Sequence, residues 1–442
     1  MKLATFHGGV HPYDGKELSK DKPIISYLPK GDLVFPLSQH IGAFATPVVK
    51  KGDQVLMGQI IGEAGGFVSS HIISSVSGTV KSIEERLVPT GAKVKSIVIE
   101  NDGKYTPVEG LGVHRDYTKM SKQEIIDAIK EAGIVGLGGA GFPTHVKLMP
   151  KNPEKIDYVI VNGAECEPYL TSDYRSMMET PEKIIEGLKI MVSLFDHAQG
   201  IIAIENNKPE AISKLEALVK DEPKLSICPL KTKYPQGGER NIVYAVTGRK
   251  LNSKLLPADV GCIVDNVDTV VAIQMAVSET TPLMRRIFTV SGNGIQNPQN
   301  FEIKIGTSYS EIMEAAGGCK EGVQKIVSGG PMMGFALSTL DVPAVKTSSA
   351  MTVMLEDDVA QYEATPCIRC GRCIDVCPAH LVPLRMFEAS EKYDLETFEA
   401  FHGMECYECG SCTYICPAHR PLTQGFKMMR QAVMQERRKA KK

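Results

Sequence analysis

The sequence predicts a multidomain chain of mixed α+β and α/β class: a β sandwich first, an α/β domain in the middle, a small β-rich domain next, and a mostly helical C-terminal domain. Three observations predict it. The 442 residues exceed one ordinary core and suit about three or four domains. Short Val/Ile runs broken by glycine turns fill 31–105, whereas helical and strand-like periods alternate through 115–285. After Thr365 the composition turns abruptly to cysteine, methionine and helix formers.

Residues 1–30 read as an N-terminal arm. In 31–105, Lys51-Gly52-Asp53, Gly65-Gly66 and Ser77-Gly78 are turns, and 76–80 and 94–99 alternate as strands do. The runs 48–55 and 58–63 resemble lipoyl- and biotinyl-carrier sandwiches. The tip that would carry the modified lysine is Ala64-Gly65-Gly66-Phe67 here, so a structural role is expected for this carrier-like β barrel-sandwich. Ser121-Lys122-Gln123-Glu124 is a capping box, followed by a helical stripe of Ile125, Ile126, Ile129 and Ala132 that ends at Gly133. Strand-like runs at 158–161 and 201–204 flank a helix over 181–194. Residues 286–345 return to β character, with turns at Asn297-Pro298 and Gly317-Gly318.

The formal net charge is −2, and no basic, aromatic-laced patch is present, so no nucleic-acid partner is expected. Residues 1–20 lack the apolar core of a signal peptide, and no run approaches the ~18–20 apolar residues of a membrane span. The expectation is a soluble chain on the cytoplasmic side. The 12 cysteines do not form the dense pattern of a secreted disulfide scaffold; most gather in one short C-terminal stretch, which points to metal binding.

Cys367, Cys370, Cys373 and Cys377 precede Pro378; Cys406, Cys409, Cys412 and Cys416 precede Pro417. Each is a C-x₂-C-x₂-C-x₃-C-P run, the bacterial [4Fe–4S] pattern, in which the fourth cysteine ligates the other cube. This assigns Cys367, Cys370, Cys373 and Cys416 to one cluster, and Cys406, Cys409, Cys412 and Cys377 to the second. Zinc has no need of this triple spacing with proline. The repeat extends through Pro-Ala-His to His380 and His419, which are expected to cap the cluster turns. Helices are expected to pack over the clusters from the stretch between the motifs. Cys166, Cys228, Cys262 and Cys319 are scattered and read as small buried hydrophobes. The tail 427–442 is basic with Glu436 as its only acid; it reads as a solvated helix end, with docking to a membrane partner or anionic lipid as the functional option.

Gly136-Leu137-Gly138-Gly139-Ala140-Gly141 fits G-x-G-x-x-G, but a helix precedes it and Pro143 follows, which argues against a Rossmann turn. Consecutive glycines still let a flat ring or a phosphate approach the backbone. With Phe142, Lys147 and Asn162-Gly163-Ala164-Glu165-Cys166-Glu167-Pro168, the loop resembles the FMN- and NADH-binding subunit of respiratory complex I. The resemblance implies that Gly136, Gly138, Gly139, Gly141, Lys147, Asn162 and Glu165 meet FMN, with Lys147 on its phosphate. It implies that Phe142 stacks on the NADH adenine and that Glu167 lies near the nicotinamide. Tyr234-Pro235-Gln236-Gly237-Gly238-Glu239 resembles that family's next flavin loop, bringing Tyr234 and Glu239; Asn266-Val267-Asp268-Thr269 resembles its last, bringing Asn266 and Thr269. Ala164 and Gly238 stand where the family has acids.

Phe6-His7-Gly8-Gly9-Val10-His11-Pro12 followed by these domains in this order resembles the C subunit of the Rnf electron-transport complex over nearly the whole chain. The resemblance implies an N-terminal arm at 1–30, the carrier-like β sandwich at 31–105, an FMN/NADH-binding α/β domain at 115–285, a β-grasp-like domain at 286–345 and a two-cluster ferredoxin-like domain at 360–442. It implies a peripheral member of a membrane oxidoreductase, on the cytoplasmic face of the cell membrane, with FMN and two [4Fe–4S] clusters as cofactors and NADH as substrate. Its partners would be the other subunits of an ion-translocating complex, an iron–sulfur subunit among them, with ferredoxin served indirectly. No catalytic acid or base is expected, because flavin carries the chemistry. The alternatives are a related flavin/iron–sulfur cobalamin reductase and a non-enzymatic electron-transfer scaffold.

Overall fold

The computed structural model describes residues 3–440. The segment 31–105 folds as a barrel-sandwich of two small antiparallel sheets. One has the order Leu33–Pro36, Lys93–Asn101, Gly78–Leu87, Gln54–Val55; the other is Thr46–Pro47, Ile60–Glu63, Ile72–Ile73. Its core is Leu33, Phe35, Ile61, Ile97 and Ile99, all fully buried, as alternation on half-buried strands dictates.

The middle of the chain is a parallel sheet with the order Leu225–Leu230, Gln199–Glu205, Tyr158–Gly163, Cys262–Asn266. The Ser121 capping box closes as its spacing requires: Glu124 N–H donates to Ser121 Oγ at 3.2 Å and Ser121 N–H to Glu124 Oε2 at 2.7 Å. Helices Lys122–Glu131, Pro181–Ser193 and Val267–Ser278 supply the apolar core around Ile129, Leu188 and Val270. The sheet order reverses between Tyr158–Gly163 and Cys262–Asn266. In open α/β sheets, ligands bind beyond the carboxyl ends of the strands at such a switch point.

A mixed six-stranded sheet follows, in the order Ile24–Ser26, Gln299–Lys304, Arg285–Ser291, Ala350–Met354, Lys325–Ser328, Phe335–Ala336. It takes strands from outside 286–345, including one from the N-terminal arm. The arm is thus woven in: Ala4 bridges to Leu230 and Val10 to Tyr234 before Ile24–Ser26 joins the sheet edge. The C-terminal domain is helical, with Pro383–Glu391, Leu395–Ala400 and Leu422–Lys439 packed around Met386, Phe398, Phe426 and Met429. The basic tail continues the last helix: Met429, Ala432 and Val433 are buried, residues 434–440 are exposed as expected of a solvated end, and Arg430 and Arg437 pair with Glu408 and Glu399. Among the described residues no helix is long and apolar enough to cross a membrane.

Two buried cations pin these domains together. Arg286 pairs with Asp268 of the α/β domain and donates to Ser348 O at 2.8 Å and to Leu137 O at 3.2 Å. Lys346 Nζ donates to Ser70 Oγ, His71 O and Gly133 O, and burial lowers its pKa to about 7. Removing one partner of a buried pair leaves an uncompensated charge, at about 3–5 kcal/mol. Asp268→Asn is accordingly expected to lower the melting temperature and urea midpoint strongly, and Asp268→Asn/Arg286→Met to recover part of the loss.

Candidate functional site

The residues singled out at the glycine loop, the acidic segment and the two later loops converge at the switch point. Asn162 and Asn266 are register partners at the carboxyl ends of the two strands that flank it. Asn162 Nδ2 donates to Gly237 O at 2.8 Å, which brings in the third loop. Asn266 caps Val267–Ser278 through its Oδ1 and donates to Asp173 Oδ2 at 2.7 Å. Leu137 N–H donates to Thr269 Oγ1 at 2.9 Å and so seats the glycine loop on the start of that helix. A Cβ on Gly138 would lie 2.8 Å from Asn266 Cβ, whereas one on Gly139 would meet nothing within 4 Å, so the loop presents open backbone there. Gly141 has φ +73° and packs against Thr347 and Gln39; Phe142 beside it is half-buried.

Lys147 Nζ lies beneath this loop, donating to Val264 O at 2.9 Å and Asp265 Oδ1 at 3.0 Å. Burial opposes its charge, but Asp265 and Glu239 outweigh burial and raise its pKa. Glu239, at the start of Glu239–Thr247, is raised by burial while Lys147 works the other way. Glu165 is buried and Glu167 half-buried. Glu165 accepts from Asp173 N–H at 2.7 Å and Tyr174 N–H at 3.3 Å. Glu167 Oε1 accepts from Met332 N–H at 2.7 Å and Met333 N–H at 3.1 Å, donors from the six-stranded-sheet domain; burial raises its pKa to about 7. Two site residues, Asp173 and Asp265, went unremarked in the sequence, and a third, Gln236, was quoted in its loop without a role. Asp173 is raised to about 7 by burial first, then by Glu165 and Asp268. Asp265 directly precedes Asn266, which was its one sequence signal. Gln236 is fully buried with neither side-chain polar atom paired, as is Oδ2 of Asp265.

The two cysteine runs fold alike. Arg369 and Glu408, Gly371 and Gly410, and His380 and His419 all have positive φ at matching places. The turns aim main-chain N–H groups at sulfur: Arg369 N–H at Cys367 Sγ (3.4 Å), Glu408 N–H at Cys406 Sγ (3.3 Å) and Leu381 N–H at Cys377 Sγ (3.4 Å). His380 and His419 close each turn on the carbonyls of Cys377 and Cys416, and stack on His7 and Tyr362. One cavity is walled by Cys406, Cys409, Cys412 and Cys377 together, with Met386 and Phe426. Burial raises the pKa of Cys373, and the nearby thiols of Cys416 and Cys367 add to it, so these three lie near one another. Among the described residues no group of three or more His, Cys, Asp or Glu side chains converges tightly enough to hold a single metal ion. Of the remaining cysteines, Cys262 is buried but Cys319 is exposed. Cys166 lies in the acidic segment, its Sγ accepting from Gly237 N–H at 3.3 Å.

The loop at 234–239 and the second cysteine set touch. Tyr234 donates its hydroxyl to Cys409 O at 2.7 Å, and Val10, Tyr234 and Cys409 form a small shared core. The arm runs between them: Gly9 N–H donates to Val376 O at 2.9 Å and Val10 N–H to Tyr234 O at 2.8 Å.

Comparison with known proteins agrees with this layout. Family models match residues 4–104 (RnfC barrel sandwich hybrid domain), 129–275 (Nuo51 FMN-binding domain), 287–336 (SLBB domain) and 366–419 (4Fe-4S dicluster domain). The chain is 45% identical over 403 residues to the C subunit of the proton-translocating ferredoxin:NAD(+) oxidoreductase complex of Clostridium ljungdahlii, covering 89% of this chain and 88% of that one. It is 41% identical over 439 residues to the C subunit of the Na(+)-translocating ferredoxin:NAD(+) oxidoreductase complex of Acetobacterium woodii, covering 99% of each. A chain of an NAD+-reducing [NiFe]-hydrogenase shares the fold at TM-score 0.51 and 20% identity, over 73% of this chain and 65% of that one. The residues present fit both implied groups. Open glycine backbone, a lysine held charged and the unpaired polar atoms of Gln236 and Asp265 suit FMN. A four-thiol cavity with N–H donors on sulfur suits a cluster.

Two outcomes follow from this geometry. Cys377→Ala is expected to remove about half the iron, as one of two clusters is lost. Adding Cys409→Ala should remove no more, whereas adding Cys370→Ala should remove nearly all; iron analysis of the three proteins checks the crossed pairing. Asp173 has a folded pKa raised to about 7, above its ordinary value of ~3.9. Its contribution to stability is complete below the ordinary value and is lost as pH rises through about 7. In flavin-free protein, Asp173→Asn should therefore flatten the fall of melting temperature between pH ~4 and ~7.

Proposed function

Because the chain belongs to the family of Rnf-complex C subunits, we propose that it is the NADH-oxidising member of an ion-translocating ferredoxin:NAD(+) oxidoreductase, holding FMN and two [4Fe–4S] clusters and attached peripherally to the cytoplasmic face of the cell membrane. The observation that carries the reading is the junction where Tyr234 of the flavin loop bonds the carbonyl of Cys409, one wall of the four-thiol cavity.

Bound at the switch point, FMN supplies the exchange between a two-electron hydride and the single electrons that iron–sulfur clusters carry. The chain's part is position and electrostatics. Gly136, Gly138, Gly139 and Gly141 would offer bare backbone to the flavin, and Lys147 would meet its phosphate. Asn162, Glu165, Tyr234, Glu239, Asn266 and Thr269 would complete the contacts, with Phe142 on the NADH adenine and Glu167 toward the nicotinamide end. Glu167 would act there from a carboxylate already fixed by Met332 and Met333, so it would shape the local field and not move. Cys406, Cys409, Cys412 and Cys377 would hold the cluster beside the flavin loop. Cys367, Cys370, Cys373 and Cys416 would hold the other, where Cys367 and Cys370 are exposed and Ile368, Tyr362 and Tyr414 offer apolar surface to an iron–sulfur partner.

Anaerobic reconstitution tests this. About eight iron, eight sulfide and one FMN per chain are expected, with NADH-dependent reduction of an artificial dye. Eight iron with no flavin and no activity in added FMN would reduce the chain to a cluster-bearing wire.

A further inference from the structure

Lys16 is a buried charge that the proposed function leaves unused. It stands in the turn Lys16–Leu18 of the arm, outside the residues matched by the FMN-binding model. Its Nζ donates to Glu167 O at 3.1 Å and Leu170 O at 2.5 Å and lies 4.0 Å from Glu165 Oε2. The arm follows the acidic segment contact by contact. Tyr169 N–H donates to Asp14 O at 2.6 Å, and Ser19 Oγ bonds Thr171 Oγ1 at 2.8 Å. Between them Gly15 has φ +56°, and a Cβ there would lie 2.4 Å from the Tyr169 ring.

Taking an ammonium out of water costs several kcal/mol, so it is tolerated where carbonyls and a carboxylate replace the water. The partners of the Lys16 ammonium, Glu165, Glu167 and Leu170, belong to one stretch, which leaves the carboxyl end of Tyr158–Gly163 at the switch point. A second ammonium holds the near end of that stretch: Lys208 Nζ donates to Ala164 O at 2.7 Å and pairs with Glu205 at 3.5 Å. Residues 164–170 belong to no helix or strand, so their carbonyls have no ladder to satisfy them, and these two cations take those of Ala164, Glu167 and Leu170.

We propose that Lys16 is a positioning residue of the flavin site: it fixes the acidic segment through Glu167 O and Leu170 O and balances the charge of Glu165. The proposal rests on the reading of that site as an FMN site. The test uses the full chain with its clusters reconstituted and flavin removed, as wild type and as Lys16→Met, which keeps length and loses charge. FMN is titrated and its fluorescence followed. The variant is expected to bind FMN at least tenfold more weakly, with wild-type iron content. A purely structural role would lower the melting temperature but leave the affinity of the folded protein unchanged; affinity within twofold of wild type overturns the proposal. Wild type that binds no FMN overturns the underlying reading instead. Should Lys16→Met fail to fold, hydrogen exchange of wild type decides: slowed exchange in residues 13–20 on adding FMN supports the proposal, and unchanged exchange overturns it.

Discussion

The carboxylate of Asp268 determines how the α/β domain and the six-stranded sheet are seated against one another. It lies in the first turn of Val267–Ser278 and receives both Arg285 and Arg286 from the sheet's strand Arg285–Ser291. A guanidinium is planar, always charged and rich in donors, so Arg286 can hold Asp268 and still reach the carbonyls of Ser348 and Leu137. Leu137 is inside the glycine loop. Its N–H is held by Thr269, the residue after Asp268 on the same helix. Leu137 is thus gripped from outside at its N–H and its C=O, and Gly139 two residues on is left with open backbone.

The same device recurs at the other seams. Lys346 gathers carbonyls of the barrel-sandwich and of the turn after Lys122–Glu131; Lys16 and Lys208 gather those of the acidic segment. Main chain at a domain boundary has no ladder to satisfy it, and a lysine brings three donors on a long stem. Several small domains can in this way share one rigid cleft without a large apolar interface. The consequence is that site geometry and domain seating are one property: the charges that order the loops around the switch point are the ones that hold the domains together.

What was legible in the sequence was what is local. The cysteine spacing, its proline and the repeated Pro-Ala-His encode turns whose positive-φ residues recur at matching places in both runs. The Ser121 capping box and the strand periods behaved as their residues require. What was not legible depends on partners distant in sequence. Ile24–Ser26 is too short to declare itself a strand, because its partner Gln299–Lys304 lies far along the chain. Lys16 gave no signal, since lysine is rarely buried. Asp173 joins the site only through the parallel strand order, which no period reveals. The surroundings of Glu167 were hidden for the same reason: the amides that fix its carboxylate come from another domain.

The glycine pair of the arm makes structural sense on these terms. Gly8 and Gly9 lie between Tyr234 and Val376, the residue before Cys377. A Cβ on Gly8 would lie 2.9 Å from Val376 O, and one on Gly9 would lie 2.7 Å from Tyr234 O. Both residues have positive φ, a second reason for glycine. The arm at this point is a spacer of bare backbone, hydrogen-bonded to Val376 on one side and to Tyr234 on the other. Any larger residue would have to push the two apart. Cys377 and Cys409, from different cysteine runs, are both tied to Tyr234, one through this spacer and the other through the tyrosine hydroxyl. A cavity whose thiols come from both runs is held against the Tyr234 loop because both runs are anchored: the arm reaches the first through Val376, and the Tyr234 hydroxyl and the Arg240–Glu405 pair hold the second.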